Sequence, residues 1–188
     1  MEKIPTIFER DWEGNRGIVN TRNVPIELLN EATPTEKLDG TNVRITVRNH
    51  SLVRLEKRRN PTQLEKVKGI TEPWYTEAYE QDAQDKWIWD AARNTDLSDI
   101  EDGEYSGEAI GKNIQGNPLN LDENIVFLFQ HKRDLGKVMF IGCPLMFDDL
   151  KEWLPKQKSK FGNDCQIEGL VWWLDGKPVG KIKLKDFK

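Results

Sequence analysis

The chain has little of what marks a membrane, secreted or disulfide-built protein. No stretch of its 188 residues approaches the ~20 consecutive apolar positions of a membrane helix. Its opening, Met1-Glu2-Lys3-Ile4-Pro5, has no apolar run and is not read as a secretory signal. Two cysteines, Cys143 and Cys165, are too few for a disulfide scaffold and lack metal-ligand spacing, so a reducing cytoplasm is expected. Cys143 precedes Pro144 in an apolar stretch with no activating neighbour, which argues against a cysteine nucleophile. The two histidines, His50 and His131, have no partner pattern and are read as structural or solvated. Repeats, low-complexity tracts and long linkers are missing too, so a single domain, 1–188, acting as a monomer is expected.

What is present is charge, unevenly spread. The net charge is -4, with 32% charged and 37% hydrophobic residues, a soluble globular balance. Between 44 and 68 lie Arg44, Arg48, Arg54, Lys57, Arg58, Arg59, Lys66 and Lys68, against Glu56 and Glu65. Five lysines between 177 and 188 face only Asp186, whereas twelve acidic residues between 72 and 108 face Lys86 and Arg93. Such segregation allows a local positive groove on an acidic protein, as phosphate recognition requires; ordinary solvated faces would give the same pattern.

The hydrophobic periods predict an α+β protein of antiparallel sheets with flanking helices. Val43, Ile45 and Val47 alternate, Leu52, Val53 and Leu55 follow, and Asn49-His50 between them reads as a hairpin turn. Residues 74–94 have helical character through Ala83, Trp87, Ile88 and Ala91. Strands are expected over 104–110 and 125–131, and a short helix near Leu150 with Asp148 as its cap, ended by Pro155. Trp87, Trp89, Trp172 and Trp173 lie in periodic segments and are read as core. Asp175-Gly176 is a strong hairpin signal. Simple two-residue closure would pair Glu168 with Lys183 and Leu170 with Lys181. Glu168, Lys181 and Lys183 would then share one face, with Val171, Trp173, Ile182 and Leu184 on the other.

Five short segments occur in a telling order. They are Glu36-Lys37-Leu38-Asp39-Gly40-Thr41-Asn42, Lys57-Arg58-Arg59, Tyr105-Ser106-Gly107-Glu108-Ala109-Ile110-Gly111, Ile167-Glu168-Gly169-Leu170-Val171 and Lys181-Ile182-Lys183. Each alone is weak, and Lys-x-Asp-Gly by itself is commonly a surface turn; the order and spacing carry the signal. The first resembles motif I of the covalent nucleotidyltransferase superfamily of DNA ligases, RNA ligases and mRNA capping enzymes. The others are similar to its motifs Ia, III, IV and V. Asn42 after Gly-Thr, and a sequence that stops five residues past Lys183, look more like RNA ligases. The stretches 4–11 and 111–117 resemble a compact single-domain ATP-dependent RNA ligase family of phages and animals.

The resemblance implies a nucleotidyltransferase (adenylation) domain of the ATP-grasp-like DNA/RNA ligase type, with no C-terminal OB domain. It implies a phage-type RNA repair enzyme that uses ATP with Mg²⁺ or Mn²⁺. Its partner would be RNA with 5′-phosphate and 3′-hydroxyl ends. By the same resemblance Lys37 is the nucleophile, Glu168 and Asn42 act near metal and phosphates, and Arg58 and Glu108 contact the ribose or the 5′-phosphate end. Glu36 would help bind adenine. Lys57, Arg58 and Arg59 are adjacent candidates for the one nucleotide contact. Asp39-Gly40 is read as the turn that presents Lys37.

The residue types fit the chemistry. A lysine attacks phosphorus only when neutral, and its reference pKa is ~10.4. Lys181 and Lys183 beside it would lower that value and steady charge on the α-phosphate. Oxygen ligands from Glu168 and Glu108 suit Mg²⁺. Phe129, or Phe127 on the same strand face, is the candidate platform for adenine, although an alternating Phe is as readily core. A DNA nick ligase, a GTP-using capping enzyme and a non-catalytic end-binding protein on a degenerate ligase fold stay open as alternatives.

Overall fold

The computed structural model describes residues 2–129 and 131–188. Along the chain β1 (Phe8–Arg10) and β2 (Ile18–Arg22) are followed by α1 (Ile26–Glu31) and β3 (Thr33–Glu36). Then come β4 (Thr41–Arg48), β5 (Ser51–Arg59), α2 (Gln63–Val67), β6 (Trp74–Glu77), α3 (Lys86–Asn94), β7 (Gly103–Ile110) and β8 (Ile125–Leu128). The last elements are α4 (Lys132–Val138), α5 (Phe147–Trp153), β9 (Gly169–Leu174) and β10 (Lys177–Lys183). The strand ladders are antiparallel, as expected for an α+β chain. Two compact units emerge, one of residues 39–131 with 2–3, the other of 4–38 and 132–188.

The first unit holds a five-stranded sheet in the order β6-β5-β4-β7-β8. Alternation in β4 sends Val43, Ile45 and Val47 to one face, each at most 1% exposed, where they join Ile88, Ala91 and Ala92 of α3. The predicted helical period holds only over 86–94. Residues 74–77 are a strand instead, because Trp74-Tyr75-Thr76 is β-prone and pairs with Lys57–Arg59. Ala83 is exposed and lies outside the helix. The expected strand 125–131 stops at Leu128; Phe129 lies in a turn, and position 130 falls outside the described residues.

The second unit is built on the sheet β10-β9-β3, with β1 and β2 as a separate pair. Fully buried Trp172, with Leu170, Ile182, Leu29 and Leu150, forms its core. Trp172 is therefore core, and Trp173, 6% exposed, is buried on the opposite face of β9, its indole N–H donating to Thr35 Oγ1. Near α5 the cap position belongs to Met146, and Asp148 sits in the first turn, where its charge favours the helix dipole without capping it.

Both long hairpins turn on two left-handed residues, Asn49-His50 and Asp175-Gly176. Each then carries one surplus residue, Val53 and Val179, so the register shifts by one. Lys183 consequently pairs with Gly169 and Lys181 with Val171. The expected Glu168–Lys183 pairing fails because a turn signal fixes closure but does not reveal a bulge. Val171 and Trp173 share the face of the two lysines, and Leu170, Trp172 and Ile182 form the apolar one.

Candidate functional site

Lys37 follows directly on β3, and its backbone N–H donates to the Gly169 carbonyl at 2.8 Å, extending the β3–β9 ladder by one step. That places Lys37 on the face of Lys181 and Lys183. Glu168 joins them. Its Oε2 accepts from Lys37 Nζ at 2.6 Å and its Oε1 from Lys183 Nζ at 2.6 Å. The three side chains are 15–22% exposed, so the carboxylate is half-sheltered and shared by two ammonium groups. The next backbone step is locked as well, since Leu184 N–H donates to the Glu168 carbonyl at 2.9 Å. Lys181 stands two residues earlier on the same face, its own backbone bonded to Pro5 and Ile7.

Glycine at 169 is required by this geometry. A Cβ there would overlap the Ile182 carbonyl oxygen and lie 2.8 Å from Lys183 Cα. Bare backbone at 169 lets β10 close onto the Glu168–Gly169 peptide. In the other unit Gly40 has the same kind of role, because a Cβ would overlap the Ala109 carbonyl. The chain bends at Gly40, where Asp39-Gly40 is read as a turn, and close approach to β7 rather than a positive φ is what calls for glycine there.

Glu36 is 4% exposed, and its carboxylate is taken up by a loop. Ser159 Oγ donates to Oε1 at 2.5 Å, and the Lys160 and Phe161 N–H groups donate to Oε2 at 2.8 and 3.3 Å. Burial pushes this carboxyl above its ordinary value of 4.5, while those hydrogen bonds pull it back in part. The unfolded chain releases this proton near 4.5 and the folded chain at higher pH. The Glu36 contribution to stability is therefore complete below 4.5 and is lost as pH rises through the folded value. In Glu36→Gln that dependence disappears. The stability of the native protein relative to this variant, from urea titrations, should fall as pH climbs from 4.5; a flat or rising difference would contradict the burial of charge at Glu36.

The five-stranded unit presents a second polar cluster, on the sheet face opposite α3. Here Asn42 pairs with Glu108, Arg44 with Ser106 and Arg58 with Tyr75 in the ladder. Asn42 Nδ2 donates to Glu108 Oε2 at 3.3 Å, and Tyr75 OH donates to Asn42 Oδ1 at 2.8 Å. The Arg44 guanidinium lies 4.7 Å from the Tyr75 ring centroid and grips Glu56 through two bonds of 2.6 and 2.9 Å. Burial raises the Tyr75 phenol above its usual range, so it remains a donor at neutral pH. The helical period expected over 74–94 conceals Tyr75, which the structure places on the strand face of Asn42. Removing the hydroxyl in Tyr75→Phe leaves Asn42 Oδ1 without its donor and should cost about 1 kcal/mol in a urea titration. An unchanged midpoint would show that the hydroxyl does not hold Asn42.

Among the three adjacent cations, the contacts separate the candidates. Lys57 is bound to Asp85 at 2.5 Å, and Arg59 to Glu65 at 3.1 Å with its guanidinium over Trp74. Arg58 is the one whose Nε is buried without a hydrogen-bond partner, an uncommon state that an incoming acceptor would relieve. Phe127, 4% exposed, pairs with Glu108 in the ladder; Phe129 lies just past β8, half-buried, its N–H donating to the Ser106 carbonyl.

Burial pushes the Cys143 thiol up to about 11, so it stays protonated and is no nucleophile at neutral pH. Among the described residues no group of three or more His, Cys, Asp or Glu forms a metal-ligand cluster. Nor is any helix among them long and apolar enough to cross a membrane.

No family model and no curated protein matches the sequence. Among solved structures the chain is similar to two variants of RNA ligases from Naegleria gruberi. One is a ligand-free lysine-to-alanine variant, at 18% identity and TM-score 0.41, covering 97% of this chain and 60% of that one. The other is a lysine-to-methionine variant with AMP and Mn, at 16% identity and TM-score 0.43, covering 97% and 57% respectively. The chain thus spans less than two thirds of either neighbour's length.

Proposed function

We propose that this protein is an ATP-dependent RNA ligase that forms a covalent lysyl-AMP on Lys37. The observation that carries the reading is the arrangement in which Lys37 and Lys183 share the single carboxylate of Glu168, 2.6 Å on either side. A structural ion pair needs one lysine. Two lysines around one carboxylate, on a sheltered strand face with Lys181 beside them, suit a site that receives phosphate.

The reaction has three balanced steps. Lys37, having given up its proton, attacks the α-phosphorus of ATP; the N–P bond forms, the bond to the β-phosphate oxygen breaks and pyrophosphate leaves. A 5′-phosphate oxygen then attacks the lysyl-AMP phosphorus, freeing Lys37 and leaving AMP on the RNA end. Finally the 3′-hydroxyl attacks the activated 5′-phosphorus, and AMP departs as the phosphodiester forms. Lys183 and Lys181 steady negative charge on the α-phosphate oxygens in the first step. Glu168 holds the Lys37 amine in place at 2.6 Å on the strand face it shares with Lys183.

Mg²⁺ is commonly held by one or two carboxylates with waters and substrate phosphates, and Glu168 offers one such carboxylate. By resemblance alone, Glu108 is also proposed as a metal ligand. When bound, the cation would neutralise triphosphate charge and orient the leaving pyrophosphate. Asn42, Arg58, Glu108, Glu36 and Phe129 or Phe127 are proposed as nucleotide contacts on the same resemblance, and the orphaned Arg58 Nε supports its assignment to phosphate.

The test is incubation with α-labelled ATP and Mg²⁺ or Mn²⁺, followed by a denaturing gel. Label retained by the protein, and chased by RNA bearing a 5′-phosphate but not by a nicked DNA duplex, is the expected result. Chase by the DNA nick alone would replace RNA by DNA as the substrate. No label under any nucleotide or metal would leave an end-binding protein as the reading.

A further inference from the structure

Asp186 stands three residues past Lys183 with its side chain only 6% exposed, an unusual burial for an aspartate next to the chain's last charged residues. Its two oxygens have separate partners. Oδ2 accepts the backbone N–H of Lys183 at 2.9 Å, and Oδ1 accepts from Arg10 Nη2 at 2.6 Å. Arg10 is fixed in turn, donating through Nη1 to the Arg16 carbonyl at 2.6 Å. Lys183 is thus pinned through its own N–H by Asp186, and through the following N–H by the Glu168 carbonyl.

We propose that Asp186 is a positioning residue that aims Lys183 at Glu168, the carboxylate that also holds Lys37; this rests on the ligase reading above. The two bonds of Asp186 do different work. The bond to Lys183 N–H fixes where the strand ends and the turn begins, and so where the Lys183 side chain starts. The Arg10 pair holds the carboxylate at that turn. Misplacement of a catalytic side chain by about 1 Å can cost on the order of 100-fold in rate, so a group acting only on backbone position can still govern the reaction.

Two variants separate geometry from charge. Asp186→Asn keeps a carbonyl oxygen for Lys183 N–H and gives up the charge facing Arg10. Asp186→Glu keeps the charge, but its extra methylene must fit where the aspartate is only 6% exposed, and making room for it shifts the turn. In lysyl-AMP formation at saturating ATP, the Asn variant should stay within about threefold of native, and the Glu variant should fall by roughly tenfold or more with KM for ATP little changed. Should the Glu variant fail to show native near-ultraviolet circular dichroism, Asp186→Ser, whose hydroxyl is too short for both bonds, takes its place. Equal rates in both variants, or a faster Glu than Asn variant, would overturn the proposal. A second readout needs no ligase activity: acetylation of the Lys183 amine by acetic anhydride should quicken in the Glu variant and not in the Asn variant. If the native protein never takes label, the ligase reading falls, and these acetylation rates alone decide whether Asp186 positions Lys183; identical rates in all three proteins refute it.

Discussion

Lys37→Ala should retain no label from α-labelled ATP while folding as the native protein does. Its side chain is 21% exposed and makes one ion pair, with Glu168, which keeps Lys183 as a partner after the substitution. The backbone bond from residue 37 to Gly169 survives, because alanine donates the same N–H. Loss of a partly exposed pair costs about 1 kcal/mol or less, so the melting curve should barely move. Label formation should be lost altogether, since the proposed mechanism draws its attacking nitrogen from Lys37. Lys37→Arg should be as inactive, because a guanidinium stays protonated at any working pH. A Lys37→Ala protein that still labels would remove Lys37 as nucleophile and direct attention to Lys181 or Lys183.

Gly169→Ala should be the most damaging single methyl in the chain's candidate site. The added carbon meets backbone, the Ile182 carbonyl and Lys183 Cα, and neither can rotate away as a side-chain tip would. Overpacking of this kind costs about 3 kcal/mol. Label formation should be lost with it, because the part of β10 that moves carries Lys183 and Ile182. The matched control is Gly136→Ala in α4, where nothing lies within 4 Å of a new Cβ. That change should be neutral or gain ~0.5–1 kcal/mol from helix propensity. Urea midpoints for the two variants give the comparison; a Gly169→Ala protein as stable as native would show that β10 can retreat from Glu168 at no cost.

The elements most legible in the sequence were those with strict two-residue alternation. Val43-Ile45-Val47 announced β4 and its buried face, and Asn49-His50 and Asp175-Gly176 announced the turns. The helix at 86–94 was legible, but its period was extended backward over Trp74–Glu77, where pairing with β5 decides in favour of strand. Bulges were invisible, since Val53 and Val179 are ordinary strand residues whose skipped pairing depends on the partner strand. At the candidate site, the motif order led to Lys37, Glu168 and Lys183, and the structure brings those three into contact. Asp186 and Tyr75 escaped notice because each works through another residue. Asp186 at least left a sign, an acidic residue three positions past a strand-ending lysine; Tyr75 left none that a helical reading could use.

The surplus residues in the two hairpins act as slack. Each lies between its turn and the working end of its strand, Val179 before Lys181 and Lys183, Val53 before Arg58. A strand without such slack transmits any change in turn length to every side chain beyond it, exchanging the inner face for the outer. Here a lengthened turn at Asp175-Gly176 can be taken up by rearranging the pairing around Val179. The turns are thus the natural grafting points for a fluorophore or an affinity tag. They are also the places where descendants of this chain can differ in length while their lysines keep the same aim.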